Sequence, residues 1–268
     1  MTGIGIIGFG RVGRGLLREL HQRGEATVVT ALAEVNPGGR APEALTADLA
    51  YLLAHDPAYG RFPGAVTAEG TSLVIDGHRL PVVFEGQPAR MDWAGLGVEI
   101  LVEASGDPAA AAQAARLTGA GVDKVVITRS EAAADLTLVR GVNWEAYDPA
   151  KHHVVSCSTC TANALAPVLA VIADAYGVES GAVATIHPAL SGDTLLDAPA
   201  PQASAGRSGL GVRPVTSEVA RTTAQLLPAL AGRLSAMSLR VPTLLVNALL
   251  ADLVLTNPPF GTKKGGGR

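Results

Sequence analysis

Apolar residues come early in the chain as short unbroken runs and later as helical stripes and long strands. Residues 2–8, isoleucines set between glycines, predict a buried strand. Residues 14–23 follow at helical spacing, with Leu16, Leu17 and Leu20 inward. Residues 26–33 predict a second buried strand with Glu34 at its end. A helix over 42–54 leads to a β-hairpin over 66–83 that turns at Asp76-Gly77. Residues 98–103 predict another buried strand, closed by Ala104-Ser105-Gly106. A helix over 108–118 opens on Pro108, and strands follow at 124–128 and 151–156. Strands alternating with helices predict a mostly parallel sheet.

Beyond residue 160 the pattern changes. Residues 161–176 predict a helix carrying Pro167, which is expected to kink it or to mark where its regular part begins. Residues 182–187 predict a strand that Pro188 ends. Residues 188–214 form a long stretch rich in Pro, Gly, Ser and Ala, a length that is usually functional or disordered. A helix over 217–230, capped by Ser217, precedes long strands over 234–241 and 244–255. Such strand runs predict a second domain with a mainly antiparallel sheet. The expected organisation is two domains, residues 1–158 and 159–268, of class α/β plus α+β. Asn257-Pro258-Pro259-Phe260 reads as a turn, and the tail over 262–268 as loose.

The first domain carries candidate chemistry at Gly8-Phe9-Gly10-Arg11-Val12-Gly13. This is strand, G-x-G-x-x-G, helix, strand, then an acid, the order of a Rossmann-type dinucleotide site. The glycines allow a tight turn and close approach of a pyrophosphate to the helix N-terminus. Glu34 would accept from the ribose diol and repel a 2′-phosphate, which points to NAD. Ser105 and Gly106, and Thr128, fall at strand ends where a cofactor lies in an open α/β sheet. The bland alternative is a Gly-rich turn in some other α/β protein.

The second domain opens on Ser156-Cys157-Ser158-Thr159-Cys160-Thr161-Ala162-Asn163. Ser158 and Thr159 are good N-cap residues, so Cys160 is expected at a helix N-terminus. There the unpaired N–H groups and the helix dipole favour a thiolate, and could hold an oxyanion. Taken alone, Cys160 would read as a buried inert thiol and His187 as a core histidine. Cys157 makes a C-x-x-C with Cys160, so a redox disulfide is a competing reading. Zinc is not expected, because no second ligand pair stands at metal spacing. His152 and His153 read as surface residues. Arg207, Arg213 and Arg221 read as solvated, with Arg207 an even candidate for binding an anion.

Composition narrows the partners. The 268 residues are 48% hydrophobic and 17% charged, with a net charge of −3 and 4% aromatic content. That argues against nucleic acid and acidic membrane surfaces. No apolar run reaches the ~20 residues of a membrane span. The N-terminal run is broken by glycines and followed at once by Arg11, Arg14 and Arg18, unlike a signal peptide. With only two cysteines, the expected compartment is the cytoplasm.

The opening Gly5-Ile6-Ile7-Gly8-Phe9-Gly10-Arg11-Val12-Gly13-Arg14 resembles that of the glyceraldehyde-3-phosphate dehydrogenase family. The S-x-x-S/T-C-T-x-N-x-L-A-P pattern from Ser156 to Pro167 resembles its catalytic signature. Ala184-Thr185-Ile186-His187 resembles its histidine strand, and Met237-Ser238-Leu239-Arg240-Val241-Pro242-Thr243 its R-V-P-T strand. The resemblance is colinear over nearly the whole chain. It implies that Cys160 attacks an aldehyde to give a thiohemiacetal, with His187 as base. Hydride passes to NAD, and inorganic phosphate releases the resulting thioester. It implies substrate or phosphate contacts at Ser158, Thr159, Thr161, Arg207 and Ser217, and a homo-oligomer, specifically a tetramer.

The sequence also departs from the family. Glu34 stands where most members have Asp. Leu190 stands where threonines usually help to hold substrate phosphate, and the S-T-G phosphate segment becomes Thr216-Ser217-Glu218. The resemblance places an Asn that contacts the nicotinamide carboxamide, and a final helix, beyond residue 268. These departures keep a second expectation open, a non-catalytic or regulatory NAD-binding paralogue.

Overall fold

A computed structural model of the chain describes residues 2–35, 38–118, 121–190, 193, 210–245 and 247–255. The chain divides into two compact units, Met1–Leu138 with Ala146–Ser158, and Val139–Glu145 with Thr159–Arg268.

In the first unit the elements run β1 (Ile4–Ile7), α1 (Arg11–Gln22), β2 (Val29–Glu34), α2 (Pro42–Ala54), β3 (His55–Asp56), β4 (Gly60–Arg61), β5 (Val66–Glu69), β6 (Ser72–Ile75), β7 (His78–Phe84), β8 (Ile100–Glu103), α3 (Pro108–Ala114), β9 (Lys124–Ile127), β10 (Leu136–Thr137) and β11 (Val154–Ser156). The main sheet has the order β10-β11-β9-β8-β1-β2-β7-β6-β5. Pairing is parallel from β10 across to β7 and antiparallel from β7 to β5. Strand alternation splits the core into two layers. Ile6, Leu32 and Val82 pack on one face with Leu17 of α1 and Leu49 and Leu53 of α2. Ile7, Ala31, Leu101 and Val125 pack on the other with Ala111 and Ala114 of α3.

The second expected strand begins three residues late. Residues Ala26–Val28 form a 3-10 turn, and the extended run starts at Val29. The stretch expected as one hairpin is three antiparallel strands, β5, β6 and β7. The turn between β6 and β7 falls where expected, with Asp76 at φ 48° and Gly77 at φ 85°, the paired positive values of a type I′ turn. Two of the arginines along α1 are not at the surface. Arg14 and Arg18 are buried. Arg14 Nε donates to Asp56 at 2.6 Å, and Arg18 Nη2 donates to the carbonyls of Leu53 at 2.6 Å and Gly60 at 2.8 Å.

The second unit holds α4 (Cys160–Tyr176), β12 (Val178–His187), β13 (Arg213–Val215), α5 (Val219–Leu226), β14 (Leu234–Arg240) and β15 (Ala248–Leu255). Its sheet has the order β13-β14-β12-β15. β12 runs parallel to β14 and antiparallel to β15, and β13 is antiparallel to β14. Leu165 and Leu169 of α4, Val183 of β12 and Val219 of α5 share its core. Pro167 lies inside α4 without interrupting it, so the helix begins at Cys160 and not after the proline. The helix expected over 217–230 is shorter. It ends at Leu226, and Pro228–Leu230 form a separate 3-10 turn, because Pro228 has no N–H to continue the ladder. Glu218, not Ser217, occupies its N-cap position.

Candidate active site

In the first unit, the residues singled out for the cofactor gather at the carboxyl ends of neighbouring parallel strands. Gly8–Gly13 follows β1, Glu34 ends β2, Ser105 and Gly106 follow β8, and Thr128 follows β9. The chain leaves β1 toward β2 on one side and returns to β8 on the other, the crevice where dinucleotides bind in such sheets. Gly8 has φ 83°, and a Cβ there would lie 2.4 Å from Ser105 Cα. A Cβ on Gly13 would lie 2.3 Å from the Gly8 carbonyl oxygen. Both glycines are therefore required by close backbone approach. Gly10 caps α1 with backbone alone, without a side-chain cap hydrogen bond. Arg11 and Val12 open the helix, Val12 half-exposed. Glu34 anchors the turn, its carboxylate accepting from Phe9 N–H at 2.7 Å and Val35 N–H at 2.9 Å. Arg14 clamps the same turn through a 2.9 Å bond to the Phe9 carbonyl. These features fit a dinucleotide: a Gly-lined turn, an uncapped helix N-terminus, and an acid at the end of β2.

Below that crevice lies Glu103, fully buried at the end of β8. One of its oxygens accepts from Ser105 N–H at 2.8 Å and from the Ser105 hydroxyl. Burial pushes its pKa up, against the opposing pull of the Ser105 bonds and Arg129. Thr128 N–H donates to the Glu103 carbonyl at 3.0 Å, which ties the ends of β8 and β9 together. In the sequence Glu103 looked like the last residue of a strand and nothing more.

In the second unit, Cys160 is the first residue of α4 and is exposed. Thr159 is the N-cap, its Oγ1 accepting from Ala162 N–H at 3.2 Å. Cys160 Sγ lies 3.5 Å from His187 Nε2 and 3.8 Å from Thr161 Oγ1. The bond to His187, chiefly, lowers the Cys160 pKa despite partial burial; the Thr161 hydroxyl and backbone N–H add to it. The same bond raises the pKa of His187. The two shifts run in the sense that favours thiolate and imidazolium. His187 Nδ1 faces the Pro188 carbonyl at 2.9 Å, which aims Nε2 at the thiol.

Sheet register brings further groups to His187. β12 pairs His187 with Arg240 of β14, and β14 pairs Arg240 with Arg213 of β13. Arg240 Nη1 contacts His187 Nδ1 and donates to the Pro188 carbonyl at 3.0 Å. Asp193 pairs with Arg213 and stands 3.7 Å from Arg240 Nε. Burial raises the Asp193 pKa, but the Leu190 N–H and the Arg213 guanidinium outweigh it and hold the group ionised. Arg213 is 3% exposed, so its reading as a solvated arginine is corrected. The apolar-polar pattern around it could not reveal an arginine buried by pairing with an aspartate twenty residues away.

The other expected residues are more scattered. Ser158 lies at the end of the first unit, buried, with φ 60°. Its N–H donates to Ser156 Oγ at 3.1 Å. Ser217 Oγ accepts from Val219 N–H at 3.4 Å at the start of α5, and no hydrogen bond joins it to Cys160 or His187 among the described residues. Glu218 pairs with Arg221 at 3.1 Å, both exposed. Arg207 and residues 257–260 lie outside the described residues. Cys157 and Cys160 are both thiols, and burial raises the Cys157 pKa.

Fold and site residues together define a class, an NAD-binding oxidoreductase with a thiol–imidazole pair. Residues 2–110 match the family model "glyceraldehyde 3-phosphate dehydrogenase, NAD binding domain", and residues 159–258 match the C-terminal domain of the same family. A glyceraldehyde-3-phosphate dehydrogenase of Kitasatospora aureofaciens is 40% identical over 243 residues, covering 90% of this chain and 71% of the relative. Glyceraldehyde-3-phosphate dehydrogenase 1 of Streptomyces avermitilis is 36% identical over 254 residues, covering 94% of this chain and 73% of the relative. Glyceraldehyde-3-phosphate dehydrogenase 1 of Bacillus cereus is 37% identical over 256 residues, covering 95% and 73% respectively. The chain belongs to the glyceraldehyde 3-phosphate dehydrogenase family, and its cofactor is NAD.

Proposed function

We propose that the protein oxidises glyceraldehyde 3-phosphate, or a related sugar-phosphate aldehyde, through covalent catalysis by Cys160. The observation that carries this is the thiol at the first residue of α4, 3.5 Å from His187 Nε2. The thiol proton resides on His187, and the thiolate adds to the aldehyde carbon. The carbonyl π pair moves to oxygen, and His187 Nε2–H delivers the proton that completes the thiohemiacetal. Bound NAD supplies the acceptor for the hydride that leaves this carbon. His187 takes back the hydroxyl proton as the carbonyl re-forms, leaving a thioester on Cys160. Inorganic phosphate then adds to the thioester carbon, the C–S bond breaks, and thiolate leaves.

The Gly8–Gly13 turn and the α1 N-terminus hold the pyrophosphate, and Glu34 takes the adenosine ribose diol. Ser105, Gly106 and Thr128 flank the crevice. Thr159 and Thr161 place and support the thiol, and Arg240 offers a cation beside His187 to the substrate phosphate. Ser158, Arg207 and Ser217 remain in the proposal from the resemblance alone. The protein is proposed to work in the cytoplasm.

The protein is also proposed to associate with copies of itself. Register on the second sheet puts Met237 and Leu250 on either side of Ala184, and both are exposed, at 52% and 58%. Such an apolar row on an open sheet face suits a second copy. Light scattering coupled to size exclusion should show an oligomer that Leu250→Arg weakens.

The decisive assay is NADH formation from NAD and glyceraldehyde 3-phosphate with and without inorganic phosphate. Phosphate-dependent turnover supports the full reaction. Turnover without phosphate dependence points to hydrolysis of the thioester. Folded, NAD-binding protein without turnover favours the non-catalytic reading.

A further inference from the structure

The Cys160 thiol has a neighbour that no motif announces. β15 pairs Ala248 with Ile186 of β12 in antiparallel register. The next residues outward are Asn247 and His187, so both reach the start of α4. Asn247 Nδ2 lies 3.7 Å from Cys160 Sγ and 3.4 Å from Thr161 Oγ1. The sulfur thus has an imidazole on one side and a carboxamide on another, each from a different strand.

We propose that Asn247 is a further catalytic residue, whose side-chain amide donates to the Cys160 thiolate and stabilises it for attack. The inference rests on Cys160 being the nucleophile. A carboxamide N–H is a neutral donor that favours the anionic form of its partner without titrating itself. No proton leaves it: the thiol proton goes to His187, and the amide only solvates the charge left on sulfur. Its second bond, to Thr161 Oγ1, fixes the amide and leaves the Thr161 hydroxyl hydrogen free to point at sulfur. A neutral donor also balances the site. The charged groups around this thiol are His187 and, behind it, Arg240, Arg213 and Asp193. Another cation there would compete with His187 for its protonated form, whereas an amide does not.

The test is the rate of iodoacetamide alkylation of Cys160 between pH 5 and 10 in full-length protein without NAD, with the adduct assigned by mass spectrometry so that Cys157 is counted separately. Asn247→Ala is expected to react roughly fivefold more slowly at neutral pH, with the profile displaced to the alkaline side, the size of one net hydrogen bond. Asn247→Asp, almost the same shape, is expected to lose roughly tenfold or more, because a carboxylate repels the thiolate. If the alanine variant fails to fold, the aspartate variant carries the measurement, since it keeps the volume, removes the donor and puts a carboxylate in its place. Profiles of both variants superimposing on the wild type would overturn the inference while Cys160 stayed the nucleophile. A wild-type thiol no faster than a free one would overturn both.

Discussion

Two helix N-termini in this chain face chemistry, and they are built in opposite ways. α1 begins at Gly10 with no side-chain cap, so its first-turn donors are kept for a ligand from solution. α4 begins behind Thr159, which takes the N–H of Ala162 for itself, and its first residue is the proposed nucleophile. At α1 the supporting side chains, Arg14 and Glu34, grip the backbone of the turn. At α4 the supporting side chains, His187 and Asn247, reach the sulfur. One terminus is a mould of backbone, proposed to take the cofactor. The other is a fixed side chain tuned by its neighbours. The same dipole and the same orphan N–H groups serve both.

That contrast breaks most sharply at sulfur. Cys160→Ser should lower NADH formation by at least about a thousandfold, while calorimetry shows NAD binding unchanged. Retained turnover would mean that α4 does not carry the nucleophile. The next largest effect belongs to α1. Asp56→Ala leaves the buried Arg14 cation unpaired and should cost about 3–5 kcal/mol in urea unfolding. NAD affinity should fall with it, since Arg14 holds the Phe9 carbonyl. Alkylation of Cys160 should not change in the fraction that stays folded.

The two ends also answer pH differently. The Cys160 pKa is lowered and the His187 pKa raised, so each shift favours the charged form of its group. Alkylation should begin below the range of an ordinary thiol and fall only when the thiolate protonates. At Asp56, burial raises the pKa, but bonds from the Tyr59 N–H, Arg14 and the Ala58 N–H win and depress it. A depressed folded pKa stabilises above the unfolded value, 3.8, and that stability is lost as pH falls through the folded one. Urea midpoints should therefore hold from neutral pH down to about 4 and then drop, with the Asp56→Ala variant flatter there.

The smallest effects come from exchanging the caps. Thr159→Ala should cost about 1 kcal/mol. Gly10→Ser meets no atom within 4 Å of the added Cβ, so it should fold normally. Its hydroxyl would cap α1 and compete with the pyrophosphate, so NAD should bind less tightly while the urea midpoint holds or rises slightly.

Most of the elements were legible because local chemistry fixed them. The run before Gly8, the Gly-x-Gly spacing and the Asp76-Gly77 turn all act within a few residues. Thr159 as a cap could be read for the same reason, and with it the place of Cys160. What was not legible depends on register. Asn247 stands 87 residues from Cys160 in sequence and meets it only because β15 pairs with β12. Arg213 read as a solvated cation because charge is the usual mark of exposure, and nothing local marked Arg14 and Arg18 as buried. Their carbonyl and carboxylate partners lie elsewhere in the chain. The early end of α5 was visible in Pro228, which has no N–H to carry the helix onward.

Ser158 carries a consequence for sequence drift. Its φ of 60° puts a non-glycine residue in the left-handed region, with the side chain buried. A library at this position should enrich glycine and asparagine, which enter that region cheaply, and should purge valine, isoleucine and threonine, whose branched Cβ cannot. As far as folding alone selects, the position between β11 and α4 would then vary along an axis of backbone handedness.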